Sequence, residues 1–529
     1  MITPELEDST QPRNEYATAE TEQTSLDMNP EGLRELSQRA AALVTNYFAT
    51  ISDLPVFPDT SAEEVAAQFD SSLPLEGEPL ETLFGDCRKI IDSSRHNGHP
   101  RFFGYVASPA TPAGAFADLI ASALNANVTS WRSSPAATEI ERTVTRWLGL
   151  LVGFSDDAHG LLTSGGSMAN LTALLIAHRT RSQSEISRTG LWRAEKPMTI
   201  YASDQIHLSI AKAADILGLG RDYVRTVKSD DRFKLDVRSL RESIASDRRN
   251  GLLPFCVVAS AGTVSTGAID PLAEVASVAV ENGLWFHVDG AYGAPGAMVD
   301  SKRRLFDGME RADSLSLDPH KWLYTPIDCG CLLFRDPAGA RAAFSTDADY
   351  IKVQEQNEVE SFAFWDYGIE LSRRFRALKI WLTLRHYGVR RIAEAIKHDI
   401  WLAEYMAERV ESADDFELLA PVELSICCFR YVPPDISARL RNADEKELAS
   451  IDDGLDQLNA RIMHAVQRGG RAYLSNASIR DRFALRACII NFRTTRADID
   501  DTLDIVRAAA KLWSAPAERS GDGALDSPR

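Results

Sequence analysis

The sequence predicts an α/β fold: a mostly parallel sheet in a large domain, a small α+β C-terminal domain and a helical N-terminal segment. Two observations predict it. Between about residues 111 and 378, short apolar runs of strand length alternate with stretches of helical period, the pattern of a parallel sheet covered on both faces. Beyond residue 378 helices dominate and the remaining strands are few, which marks a second, smaller unit.

Each element has a local reason. Residues 1–28 and 514–529 are polar with few large apolar groups and are expected to be disordered tails. Leu33, Leu36, Ala40, Leu43, Val44 and Phe48 recur near helical spacing, so a helix is expected over 30–51. It opens a segment, residues 29–110, without strand alternation. Ser134-Pro135 starts a helix with a cap and a proline in its first turn. The strand 160–163 runs directly into the turn Ser164-Gly165-Gly166-Ser167 and a helix over 168–180. Strands over 199–202, 223–227 and 255–260 follow, separated by helices over 206–217 and 236–251. Asp270-Pro271 caps a further helix that Gly283 stops. Strands ending at Asp289, Leu317 and Phe334 complete the large domain, residues 111–378. A helix over 373–387 and another reaching about 410 lead into the small domain, residues 379–513. Its strands are expected over 424–431, 472–474 and 483–491, with helices near 452–467 and 497–513.

Bulk properties exclude several function classes. A chain of 529 residues is too long for one compact core. A formal charge of −18 argues against nucleic acid as a partner. No apolar run approaches the roughly 18–20 residues of a membrane span, so no membrane association is expected. The polar, acidic N-terminus is unlike a signal peptide. Seven cysteines, mostly in apolar runs and without metal-type spacing, fit reduced core thiols in a cytoplasmic protein; no metal site is expected. Asn170-Leu171-Thr172 matches the glycosylation pattern, by chance in such a compartment.

The chemistry concentrates in the middle of the chain. Asp318-Pro319-His320-Lys321-Trp322 closes the apolar alternation Ser314-Leu315-Ser316-Leu317. A lysine at the end of a buried strand is poorly solvated, and burial favours the neutral amine, a nucleophile towards carbonyls. Taken alone, Lys321 also fits a surface lysine or a phosphate contact. Asp289 ends the apolar run Leu284-Trp285-Phe286-His287-Val288, where a carboxylate must be paired or protonated; a helix cap or a metal ligand is the plainer alternative. A buried amine and a buried carboxylate at strand ends are the two polar groups that pyridoxal phosphate (PLP) needs, one for its aldehyde and one for its ring nitrogen. Ala291 is small enough to let a flat ring lie against the backbone. Gly165-Gly166-Ser167, between a strand and a helix, suits a phosphate, although most such turns are only turns. His207 at a helix start can stack on a ring or serve structure alone. Thr263 follows a strand, where its hydroxyl could bond a ring substituent.

With these residues in place, the chain resembles the group II PLP-dependent amino-acid decarboxylases, nearest to the aromatic-L-amino-acid branch. The matching stretches are His99-Pro100-Arg101-Phe102, Ser134-Pro135-Ala136-Ala137-Thr138-Glu139, Ser164-Gly165-Gly166-Ser167, Ser203-Asp204-Gln205-Ile206-His207, His287-Val288-Asp289-Gly290-Ala291-Tyr292 and Asp318-Pro319-His320-Lys321-Trp322. Residues 373–379 and 474–486 extend the match, which runs in consistent order from about residue 30 to 510. The resemblance implies a fold type I PLP enzyme, acting as a homodimer with sites shared between subunits and residues 29–110 in the dimerisation segment. Lys321 would hold PLP as a Schiff base and Asp289 would pair with the pyridine nitrogen. His207 would stack on one face of the ring and Ala291 would lie on the other. Thr263 would lie near the phenolic oxygen, and Gly166, Ser167 and His320 would contribute to phosphate binding. Where the family usually has Asn, this chain has Asp318.

The resemblance also implies the reaction: decarboxylation of an L-amino acid, aromatic by first choice, to its amine and carbon dioxide. Tyr350, in a loop expected to close over the partner's site, would protonate the carbanion left by carbon dioxide. Relatives with Phe there form aldehydes by oxidative deamination, so Tyr350 favours the amine. Tyr105 matches an aromatic pocket position, and Ser108 would approach the substrate carboxylate. Three alternatives stay open: an aldehyde synthase, a decarboxylase of aliphatic or acidic amino acids, and a PLP-binding protein without turnover.

Overall fold

The computed structural model describes residues 26–182, 186–193, 196–344, 360–440 and 444–514. The two expected tails fall almost wholly outside these residues. The chain divides into two compact units, Met1–Ile51 with Thr60–Ser94, and Ser52–Asp59 with Arg95–Arg529.

The first unit is helical. Asn29 accepts from the Gly32 amide at 2.8 Å and starts Pro30–Thr50, with proline in the first turn, where a missing N–H is no loss. Ser61 and Glu64 cap each other's backbone amides and start Ala62–Phe69. Leu80–Asp92 follows. None of the three helices has a buried residue, and Leu33, Leu83 and Ile90 stand exposed.

The second unit holds two sheets. Strands β1 (His159–Thr163), β2 (Met198–Ser203), β3 (Val224–Val227), β4 (Leu253–Ser260), β5 (Trp285–Asp289), β6 (Ser314–Leu317) and β7 (Gly330–Phe334) lie in the order β1-β7-β6-β5-β4-β2-β3. Neighbours run parallel except at β7, which opposes both β1 and β6. β2, β5, β6 and β7 are buried along their whole length, as expected of strands covered by helices such as Gly166–Arg181 and Leu272–Asn282. After β6 the chain makes the one-turn helix Pro319–Trp322 and turns back as β7. The carboxyl ends of β1, β4, β5 and β6 therefore share one edge with the lysine turn, the place where open α/β sheets bind ligands.

The second sheet, β10-β11-β9-β8, is antiparallel throughout: β8 (Phe416–Leu418), β9 (Ile426–Tyr431), β10 (Ser475–Ile479) and β11 (Arg482–Cys488). With Val389–Glu411, Glu445–Arg468 and Arg496–Ser514 it closes a core around Phe103, Phe416, Phe429, Leu485 and Val506. Several details differ from the sequence expectation. The Ser134 side chain makes no cap bond, and the Asp270 carboxylate accepts from the Leu235 and Ser260 amides instead of capping Leu272–Asn282. β8 is too short to show alternation. The strand expected over 472–474 lies later, at Ser475–Ile479. The helix expected from 373 starts at Ala377, because the Arg373 backbone is drawn into bonds with Asn127 Oδ1 (2.8 Å) and the Val128 amide (2.9 Å).

Candidate active site

The strand ends enclose a cavity of about 370 Å³. Gly166, Ser167, His207, Thr263, Asp289, Ala291, His320 and Lys321 all line it, so five separate chain segments meet there. Ser164, Asn170, Tyr292 and Asp318 complete much of the remaining wall.

Asp289 ends β5 and is buried. Its carboxylate accepts from Asn170 Nδ2 (3.0 Å), from the Ala291 amide (3.2 Å) and from Ser316 Oγ (3.3 Å). All three donors are neutral. Among the described residues no cation pairs with it: the neighbouring His287 is held neutral by burial, which pushes it down to about 4.

Asn170 is the residue that sequence reasoning passed over. It is buried on the helix Gly166–Arg181, which rules the glycosylation pattern out as a surface signal. Its amide donates to Asp289 and to Ser209 Oγ (2.9 Å), and its carbonyl oxygen accepts from His287 Nε2 (3.0 Å). The signal in the sequence was a polar side chain one helical turn beyond the glycine turn, with no partner nearby to explain it.

His207 is fixed through the same network. Its Nδ1 accepts from the Ser209 amide (3.2 Å) and lies 2.7 Å from Ser209 Oγ, so in the neutral ring the proton is on Nε2. Burial lowers its pKa, outweighing the opposing pull of Asp289, and the imidazole is neutral near pH 7.

Lys321 lies in the helix Pro319–Trp322, its side chain 19% exposed, and its Nζ stands 3.1 Å from Asp318 Oδ2. Asp318 is itself buried, and its Oδ1 has no hydrogen-bond partner. His320 donates from Nδ1 to the Cys329 carbonyl at 2.6 Å, and burial lowers its pKa. Opposite this turn, Gly166 begins the helix Gly166–Arg181. A Cβ on Gly166 would stand 2.9 Å from Asp318 Oδ2 and 3.0 Å from Ala291 Cβ, so only glycine lets the two turns approach. Thr263 is buried, with its hydroxyl 3.0 Å from that of Thr266 and accepting from the Ala268 amide at 3.2 Å.

Two expected substrate residues stand apart from the cavity wall. Ser108 Oγ donates to the His320 carbonyl at 3.0 Å, behind the lysine turn. Tyr105 is 53% exposed, has a left-handed backbone (φ +57°) and meets Tyr473 hydroxyl to hydroxyl at 3.3 Å. Tyr350 lies outside the described residues. Among the described residues there is no cluster of His, Cys, Asp and Glu that could hold a metal, and no helix long and apolar enough to cross a membrane. All seven cysteines are free thiols.

PLP fits these residues. A buried carboxylate with neutral donors only calls for a cationic partner, which a protonated pyridine nitrogen supplies. The start of the helix Gly166–Arg181, kept open by Gly166, offers backbone N–H groups to a phosphate. The sheet order, with this cavity at the strand ends, defines a PLP-dependent enzyme of the α/β type. Residues 62–432 match the pyridoxal-dependent decarboxylase conserved domain. The chain is 35% identical to an aromatic-L-amino-acid decarboxylase of Bacillus atrophaeus, over 92% of this chain and 97% of that one. It is 30% identical to a phenylacetaldehyde synthase of a Rosa hybrid cultivar, over 92% and 95%. Among solved structures, mouse CSAD superposes with a TM-score of 0.85 at 30% identity, covering 91% of this chain and 99% of that one. An Oryza sativa TDC with PLP and tryptamine gives 0.84 at 28% identity, covering 93% and 100%. The chain belongs to the pyridoxal-dependent decarboxylase family and is a PLP-dependent amino-acid decarboxylase.

Two outcomes follow from this geometry. Asn170→Ala leaves a buried carboxylate and a buried imidazole each short of a partner, and should cost about 1–3 kcal/mol in chemical denaturation; a change under ~0.3 kcal/mol would contradict the network. Asp318→Asn removes a negative charge from the cavity that takes the phosphate. It should tighten PLP relative to unphosphorylated pyridoxal, raising the ratio of the two affinities about tenfold in equilibrium titration of the apoprotein.

Proposed function

We propose that this chain converts an aromatic L-amino acid to its amine and carbon dioxide, with Lys321 as the covalent anchor of PLP. The observation that carries the proposal is the convergence of Lys321 Nζ and the counter-ion-free Asp289 on one cavity. The likeness to the Bacillus atrophaeus enzyme supports the aromatic substrate class.

When bound, PLP supplies a cationic ring that takes up the electron pair released as the α-carboxylate leaves. The chain's own residues hold and orient. Asp289 keeps the ring nitrogen protonated, and its neutral donors leave its charge uncancelled. His207 and Ala291 would bound the ring on its two faces. Gly166, Ser167 and His320 would hold the phosphate, and Thr263 would lie by the phenolic oxygen. Asp318 Oδ2, 3.1 Å from Lys321 Nζ, would hold that amine whenever it is free of the cofactor. Tyr350 Oη delivers a proton to the substrate α-carbon in place of the lost carboxylate.

We infer a homodimer with shared sites. The helix Pro112–Leu124 exposes Phe116, Leu119, Ile120 and Leu124 on one face, an apolar stripe of the kind that subunit interfaces cover. A second reading, aldehyde formation, is favoured by the likeness to phenylacetaldehyde synthases of Rosa and Petunia. Tyr350 favours the amine over it.

A panel of L-amino acids should release carbon dioxide with the amine from aromatic members. Carbon dioxide with ammonia and an aldehyde would transfer the function to the second reading, and no carbon dioxide from any member would sink both. In the same assays Lys321→Ala should lose the cofactor label fixed by borohydride. Tyr350→Phe should slow amine formation about 100-fold while aldehyde and ammonia rise with consumption of dioxygen, the two-electron oxidant that aldehyde formation needs; an unchanged product ratio would remove Tyr350 from this role.

A further inference from the structure

A further buried carboxylate stands behind the lysine turn, outside the cavity. Asp399, in the helix Val389–Glu411, is fully buried. Its Oδ2 accepts from the Trp322 indole N–H at 2.9 Å and from the Tyr324 hydroxyl at 2.6 Å. These two residues flank the end of the turn that carries Lys321. Among the described residues no cation pairs with Asp399. Burial pushes its pKa up to about 7 against the opposing pull of Tyr324, Trp322 and the Asn491 amide.

The strain and the stacking around it point to a geometric duty. Tyr324 holds a left-handed backbone (φ +54°), a conformation that a bulky side chain adopts only when its surroundings impose it. Trp322 stacks on Tyr292 with ring centroids 5.1 Å apart and planes 15° from parallel. Tyr292 in turn lies 2.6 Å from Ser425 through its hydroxyl and lines the cavity beside Ala291. The residue after Lys321 is thus gripped on one side by a cavity-wall ring and on the other by Asp399. A well-packed apolar residue would hold these elements together at least as firmly as a carboxylate without a counter-ion. What the carboxylate adds is direction: two donors must point at one oxygen.

We propose that Asp399 is a positioning residue for the Lys321 amine, fixing the lysine turn from behind by holding the Trp322 indole and the Tyr324 hydroxyl on a single oxygen. It touches neither cofactor nor substrate and acts through Trp322. The proposal rests on Lys321 being the PLP anchor, as proposed above.

The test compares the PLP-loaded wild type with Asp399→Leu, Asp399→Asn and Tyr324→Phe. Three readouts are needed: visible circular dichroism of the bound cofactor, kcat and KM separately, and thermal unfolding. Asp399→Leu should weaken the visible dichroism and lower kcat about 10- to 100-fold, with KM within about threefold. Asp399→Asn keeps an acceptor for both donors and should restore the dichroism and most of kcat. Should the leucine variant fail to fold, Tyr324→Phe decides, since it removes one donor at nearly constant volume. It should shift the dichroism in the same direction and lower kcat about three- to tenfold. Variants that lose thermal stability while dichroism and kcat stay at wild-type values would overturn the proposal and leave Asp399 a packing residue. A wild type without a visible cofactor band would instead defeat the reading of Lys321 itself.

Discussion

Everything at this site depends on a carboxylate that is buried without a counter-ion. Taking a charge out of water costs several kcal/mol even after relaxation, and neutral hydrogen bonds return only part of that. Asp289 is kept in place by an amide, a hydroxyl and a backbone N–H, none of which cancels its charge. The arrangement is stable enough to fold and leaves a standing attraction for a cation inside the cavity. The same Asn170 amide that holds Asp289 also holds Ser209, and through it His207, so one side chain sets the carboxylate and the imidazole together.

The second constraint is steric. The glycine turn after β1 and the lysine turn after β6 meet because β7 runs antiparallel between those two strands. A Cβ on Gly330, at the start of β7, would lie 2.5 Å from the Gly165 Cα, and one on Gly166 would press on Asp318 and Ala291. Helix start, lysine turn and Ala291 are thereby brought together, through backbone where Gly330 meets Gly165 and through the Asp318 and Ala291 side chains at Gly166. That is the kind of preorganisation a reaction needs when the cofactor supplies the chemistry and the protein supplies orientation.

The small sheet ties the rim of this site to the rest of the chain. Arg486 on β11 donates to the Tyr105 carbonyl (2.8 Å) and to the Val264 carbonyl (2.7 Å), next to Thr263. The Arg95 guanidinium lies about 5 Å from the ring centroids of Phe102, Tyr105 and Tyr473, which packs the expected substrate tyrosine into a cationic aromatic cluster. Two segments distant in sequence thus determine how Tyr105 stands, and its left-handed backbone is held by the Arg486 contact.

The sequence by itself determined the alternating elements, the mostly parallel sheet and the residues at the strand ends, because each is written in a local pattern: periodicity, glycine turns, an acid or an amine closing an apolar run; the family came from the resemblance of several ordered stretches to known decarboxylases. It left β8 invisible, since a three-residue edge strand has no period to show, and it left Asn170 looking like a chance surface motif. It suggested that burial alone would govern Lys321; the folded chain places the Asp318 carboxylate 3.1 Å from its amine. Tertiary structure alone decided the antiparallel return of β7, the neutral shell around Asp289 and the Asp399 grip behind the lysine. Hydrogen bonds between side chains 27 to 119 residues apart leave no trace in any short window of the sequence; they exist only once burial has removed water as the competing partner.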